Sequence, residues 1–160
     1  MGLSFKIVPF QDLTVFELYE IMALRQEVFV VEQNCAYLDA DGKDLVGWHL
    51  MGFDTAPSES LREGVLVAYT RLLPKGVAYE NYASIGRVVS SSKVRGSGYG
   101  KILIQESISR IKLLFPHQSV KIGAQSYLLK FYQSLGFEST GEEYLEDGIP
   151  HTSMILKEGL

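Results

Sequence analysis

Residues Ile85 to Lys101, IGRVVSSSKVRGSGYGK, join the end of a strand, a glycine-rich turn and the start of a helix. Tyr82 to Val89 has the apolar, β-branched composition of a strand. Beyond Lys101, Ile104, Ile108, Ile111 and Phe115 recur at spacings of four, three and four, the buried stripe of a helix that Pro116 ends. Three phosphate-binding patterns compete for the turn. The dinucleotide fingerprint GxGxxG needs glycine at 101, where Lys101 stands. The P-loop GxxxxGK[ST] needs glycine at 95 and a hydroxyl at 102, where Arg95 and Ile102 stand. The pattern that fits is R-x-x-G-x-G, from Arg95 through Gly96, Ser97, Gly98 and Tyr99 to Gly100. Glycines bring main-chain N–H groups close to anionic oxygens, and the following helix start offers unpaired N–H groups and partial positive charge. An ordinary glycine turn into a helix is the competing reading.

Outward from this unit, Ser4 to Val8 predicts a short strand stopped by Pro9. Thr14-Val15-Phe16-Glu17 is a capping box, with Leu13 and Leu18 placed as a hydrophobic staple. Leu18, Ile21, Met22, Val28 and Phe29 continue that helix along a core. Glu32 to Asp44 predicts a polar loop. Trp48–Phe53 and Val65–Leu73 predict an antiparallel hairpin across a turn containing Asp54, Pro57, Ser58 and Ser60. Val120–Ala124 predicts a strand, Ser126–Leu135 a helix closed by Gly136, and Phe137–Leu156 two strands about Asp147-Gly148. The order describes a single domain over residues 1–160, with one mixed sheet and helices packed on it.

The composition agrees: 160 residues, 46% hydrophobic and 21% charged, suit an ordinary globular domain. One cysteine, Cys35, excludes an intrachain disulfide framework and a CxxC zinc site. The longest apolar run, Val65 to Tyr69, is far short of a membrane span, and the amino terminus lacks a signal-peptide core, so a cytoplasmic protein is expected. A net charge of −4 disfavours nucleic acid as partner. That mean hides a contrast. Asp12 to Glu63 holds eleven acids and three bases, whereas Ala83 to Gln105 holds Arg87, Lys93, Arg95 and Lys101 and no acid. Such a window can hold a polyanion even on an acidic chain.

The stretch Ile85 to Lys101 resembles the acetyl-CoA-binding motif of the GNAT acetyltransferase superfamily. Ala124 to Phe137, AQSYLLKFYQSLGF, is similar to that superfamily's next motif. LRQEVFVVEQ from Leu24 to Gln33, Asp39 to Asp44, and Asp147-Gly148-Ile149-Pro150-His151 resemble its ElaA-like branch. The resemblance implies a mostly antiparallel sheet of about six to seven strands, helices on both faces, and a splayed pair formed by Ile85–Val89 and Val120–Ala124. It further implies acetyl-CoA as cosubstrate, with Val88 and Val89 pairing with the pantetheine arm and Gly96 to Lys101 holding the pyrophosphate. An amide near Val88 would face the thioester oxygen. Tyr132 matches the tyrosine that protonates the departing thiolate. The chain departs from the pattern where many members carry an asparagine; Gln125 is the nearest amide.

Transfer to an amine needs a proton acceptor. Glu32, after the apolar run Val28–Val31, His151, after rigid Ile149-Pro150, and Glu27, Asp39 and Asp41 are the candidates, and the sequence does not rank them. Asp39 and Asp41 form an acidic rim suited to a cationic acceptor. Their loop fails the EF-hand pattern, having Asp44 and Leu50 where glycine and glutamate belong, and no metal is expected. Arg71 and Arg87, in apolar strands, should each meet an acid from this loop or from Glu27 or Glu32, as a structural pair or as a clamp for a substrate carboxylate. His49 is expected to be a satisfied strand histidine, His117 a surface residue, and Cys35 no nucleophile. The rival to an enzyme is a non-catalytic acyl-CoA-binding or sensory module. A homodimer is compatible with either.

Overall fold

The computed structural model describes residues 2–54 and 64–157; Pro57, Ser58 and Ser60 of the anticipated hairpin turn lie outside them. Strand β1 (Leu3–Pro9) leads to helix α1 (Val15–Arg25), whose Thr14–Glu17 capping box forms in both directions. The helix continues as π-helical turns over Gln26–Glu32. Strands β2 (Trp48–Asp54), β3 (Val65–Leu73) and β4 (Ser84–Ser90) follow, then helix α2 (Tyr99–Leu114) and strand β5 (Lys121–Gln125). A 3-10 turn over Ser126–Leu128 precedes helix α3 (Leu129–Ser134), so the anticipated helix is shorter and starts later. Strands β6 (Phe137–Glu146) and β7 (Ile149–Leu156) close the chain. They turn through Asp147 and Gly148 at φ 50° and 78°, the positive pair a type I′ hairpin requires.

The strands form two antiparallel sheets, β1-β2-β3-β4 and β5-β7-β6. Successive residues of β2 show how the first is covered. Met51 packs with Ile21, Leu24 and Val28 on the α1 side, while Leu50 packs with Leu103 of α2 on the other. The larger core joins α2, α3 and the second sheet through Ile104, Ile111, Ile122, Tyr132, Phe137 and Met154. No helix among the described residues is long and apolar enough to cross a membrane.

The sheets meet where β4 and β5 begin. Ala83 accepts from the amide of Lys121 and donates to the carbonyl of Ser119, both at 2.9 Å, in a single parallel bridge. Beyond it the strands separate, and neither regains the other as a partner. The β4 edge facing the gap therefore carries backbone groups without a strand neighbour among the described residues.

Candidate active site

The gap opens into a cleft of about 1370 Å³. Small-molecule sites usually occupy about 300–1,000 Å³, so this one is large enough for a long ligand with room beside it. Along β4, a bulge interrupts the pairing with β3. Tyr69 faces Val89 and Arg71 faces Gly86, so β4 uses one residue more than β3 and leaves Arg87 and Val88 without register partners. The unusual backbone falls on Arg87 at φ 50°, not on neighbouring Gly86. A left-handed conformation costs a non-glycine residue about 1–2 kcal/mol. Val89 beyond the bulge is buried against α1.

At one end, Ser91 caps the turn Ser92–Val94, and Ser97 donates its hydroxyl hydrogen to the Val94 carbonyl. Gly96 and Gly98 both sit at φ 84°. A Cβ at either would meet nothing within 4 Å, so glycine is required there by conformation rather than by crowding. Gly98 is the N-cap of α2, and Tyr99, Gly100 and Lys101 form its first turn without an acid. A helix start with this charge and geometry suits an anion. Arg95 turns away from it: Nη2 donates to Glu32 at 2.6 Å and to the Ser90 carbonyl at 3.2 Å. A predicted pyrophosphate ligand and a predicted base thus hold one another across the cleft wall.

Gln125 ends β5 on the opposite wall, and Tyr132 of α3 also lines the cleft. Tyr132 is buried, edge-on to Phe131 and Phe137 at 5.2 and 5.8 Å between ring centres. Burial, helped by nearby Tyr127, pushes its phenol up to about 12, so the hydroxyl keeps its proton throughout the neutral range.

The far end is formed by β6 and β7. His151 Nδ1 lies 2.7 Å from the Ile149 carbonyl, which only accepts, so Nδ1 is the donor and Nε2 is left facing Glu146. Glu146 lies 3.5 Å from Nε2, and Tyr144 stacks on the ring at 5.5 Å. Tyr144 also bonds Tyr79 and reaches over Gly123, where any Cβ would strike its hydroxyl. His49, by contrast, is spent in the interior. Nε2 donates to the Asp44 carbonyl at 2.9 Å and Nδ1 accepts from Tyr69 at 2.6 Å, with burial lowering its pKa. His117 is an exposed turn residue, and Cys35 lines the cleft.

Below β4 lies a charge network that is only partly legible in the sequence. Arg71 makes a two-pronged pair with Asp41 at 2.8 and 3.0 Å and also reaches Asp44 at 2.9 Å. Arg87 lies 2.7 Å from Asp39 and 3.3 Å from Asp41. Both arginines therefore meet acids of the Asp39–Asp44 loop, as their apolar surroundings demand. The additional member is Arg25, wholly buried on α1 and bonded to Asp39 at 2.8 Å and Asp44 at 2.7 Å. Its signal was its place in the stripe Ile21-Leu24-Arg25-Val28, where a cation implies buried acids. Asp39 is only 4% exposed, so its carboxylate supports the fold beneath the cleft and offers no free charge to an acceptor. Asp41 and Arg71 do line the cleft, as a closed pair.

Burial pushes the Asp41 carboxyl up, but Arg71 and Arg87 outweigh it and bring it down to about 2; Asp44 is lowered in the same way by Arg25 and Arg71. A carboxylate lowered in the folded state stabilises fully above its unfolded value of about 4 and loses that contribution as pH falls through the folded value. The melting temperature should hold steady from pH 7 to 5 and fall between pH 4 and 2. Asp41→Asn should flatten part of that fall in a calorimetric pH series.

A family model described as "Acetyltransferase (GNAT) domain" matches residues 51–158. The chain belongs to the GNAT family, in its ElaA-like branch. It is 40% identical over 157 residues to a UPF0039 protein of Synechocystis sp., covering 98% of this chain and 97% of that one. Protein ElaA of Escherichia coli is 41% identical over 145 residues, 89% of each chain, and its crystal structure superposes with a TM-score of 0.84. An acyl-CoA N-acyltransferase from Pseudomonas aeruginosa superposes with a TM-score of 0.85 at 40% identity, covering 98% of this chain and 100% of that one. Acyl-CoA is the cosubstrate of the GNAT fold family. The residues here suit such a ligand: an unpaired strand edge for an amide-bearing arm, and two left-handed glycines before a helix start for a pyrophosphate.

Proposed function

We propose that this GNAT protein transfers the acetyl group of acetyl-CoA directly to an amine. The observation that carries the reading is the parallel pair β4–β5, joined only at Ala83 and opening beside the Gly96–Lys101 helix start. Bound acetyl-CoA supplies an activated acyl carbon and a thiol leaving group. Main-chain groups of Val88 and Val89 pair with the arm of the ligand, and the amides from Gly96 to Lys101, with the Lys101 charge, hold its pyrophosphate. Gln125 borders the arm from the opposite wall. Tyr132 gives its proton to the sulfur side. His151 Nε2 takes the proton of the acceptor amine, and Glu146 steadies the resulting imidazolium. Glu32, engaged by Arg95, is the less available base. Asp41 and Arg71 border the acceptor.

Isothermal titration tests the binding half. Wild-type protein should bind acetyl-CoA, and Gly98→Ala should bind up to about tenfold more weakly, because a turn that relaxes in the free variant must recover about 1–2 kcal/mol of left-handed strain on binding. No binding at millimolar acetyl-CoA defeats the reading. For the transfer half, thiol release is followed across a panel of amines. Release proportional to amine marks an enzyme, and binding without release marks an acyl-CoA sensor.

A further inference from the structure

Among the described residues, Arg87 is the one non-glycine residue inside a strand with a positive φ, and it lies at the bulge that frees Val88 from β3. Its side chain is gripped from several directions. Nε lies 2.7 Å from Asp39 Oδ1, Nη2 donates to the Asp39 carbonyl at 3.1 Å, and the Tyr37 ring lies 5.8 Å from Cζ. Asp39 is fixed in turn. Arg25 Nε donates to its Oδ2 at 2.8 Å, Arg25 Nη2 to its carbonyl at 3.1 Å, and the Tyr37 hydroxyl to its Oδ1 at 2.9 Å. Strained backbone persists where the surroundings over-determine it, and here they do so through a chain reaching from the buried face of α1 to the open edge of β4.

We infer that Asp39 and Arg87 are positioning residues: their clamp, anchored on Arg25, fixes the Arg87–Val88 peptide so that the Val88 N–H is aimed into the gap at an acyl oxygen. The inference rests on the acyl-CoA reading for its ligand, but the clamp itself belongs to the unliganded protein. Arg87 ψ sets the plane of the peptide that carries the Val88 N–H, so a group holding Arg87 holds that donor. An oxygen-binding N–H acts through preorganisation, and small misalignment weakens it without removing it. Asp39 touches no reacting atom in this scheme. It acts through Arg87.

The test uses Arg87→Gly, which tolerates φ 50° without strain and removes only the grip, alongside Asp39→Asn and the double variant. In 15N–1H spectra of the unliganded protein, the Val88 amide should move in both single variants, with Arg87→Gly still folded at the assay temperature. With the amine found most active by thiol release, kcat should fall at least tenfold while the Kd for CoA stays within about twofold. The double variant should lose no more than the worse single, because two members of one clamp act as a unit. A merely stabilising pair would lower the melting temperature and leave kcat of the folded protein unchanged. Unmoved Val88 resonances, an unchanged kcat in folded Arg87→Gly, or additive losses overturn the inference. Wild-type protein that neither binds CoA nor releases it defeats the acyl-transfer reading instead, and the Val88 spectra still report on the clamp.

Discussion

Arg25→Met is expected to destabilise the fold by about 3–5 kcal/mol, the usual cost of removing one partner from a buried ion pair. Arg25 is wholly buried on α1, and its guanidinium bonds Asp39 and Asp44, which are 4% and 8% exposed. Methionine replaces the volume but leaves two carboxylates with less compensation. Arg71 still reaches Asp44 and Arg87 still reaches Asp39, which draws the expectation toward the lower end. For a chain of this size the loss corresponds to a melting temperature lower by roughly 6–20 °C. Lys6→Met serves as the contrast. Its pair with Glu17 at 2.8 Å has the lysine half exposed, and exposed pairs contribute about 0–1 kcal/mol. Denaturant unfolding of both variants measures the difference. A loss for Arg25→Met no larger than that for Lys6→Met would show that the network merely breaks even with an apolar core.

This network also marks where local sequence patterns stop being informative. The capping box at Thr14, the stripe Ile104-Ile108-Ile111 and the Asp147-Gly148 turn each depend on residues within a few positions, and each forms as anticipated. The polar run Asp39 to Asp44 reads locally as an acidic rim suited to a cationic acceptor. Its partners Arg25, Arg71 and Arg87 lie on α1, β3 and β4, too distant along the chain for spacing to reveal them. The acid excess from Asp12 to Glu63 is consequently smaller in effect than its count suggests, because Glu17, Glu32, Asp39, Asp41 and Asp44 are all held by cations. Arg71 and Arg87 were the legible members, because a cation in an apolar strand requires an acid.

The cleft divides along the same line. The glycine turn and the helix behind it are contiguous, so their geometry, a glycine turn running into an acid-free helix start, was readable. The width of the cleft depends on β4 and β5 parting after one bridge at Ala83, a long-range event between segments that each look like an ordinary strand. The bulge is similar: Gly86 is the residue that composition favours for unusual backbone, yet Arg87 takes it because Asp39 holds its side chain. The π-helical turns over Gln26–Glu32 were hidden because apolar spacing there fits an α-helix equally well.

Tyr132→Phe is expected to lower kcat about 100-fold, at the lower end of what a positioned proton donor contributes, with little change in the affinity for acetyl-CoA. The ring sits edge-on between Phe131 and Phe137, and phenylalanine keeps both contacts, so the melting temperature should barely move. A phenol pushed up to about 12 is a weaker acid than one in water, which at first argues against the role. The cause answers part of the objection. Burial raises the phenol by disfavouring its anion, and the same surroundings would disfavour a thiolate beside it, which offsets part of the gap between the two proton affinities. Because the phenol holds its proton until about pH 12, wild-type kcat should show no alkaline loss from Tyr132 below that value. His151→Gln should also lower kcat/KM about 100-fold, because it removes the group that takes the amine proton, with little change in the affinity for acetyl-CoA. Stopped-flow thiol release with the best amine separates the two residues. A 100-fold fall in kcat in Tyr132→Phe with the affinity for acetyl-CoA intact assigns the sulfur-side proton to Tyr132. An unchanged kcat would mean that water reaches the sulfur and the tyrosine only packs.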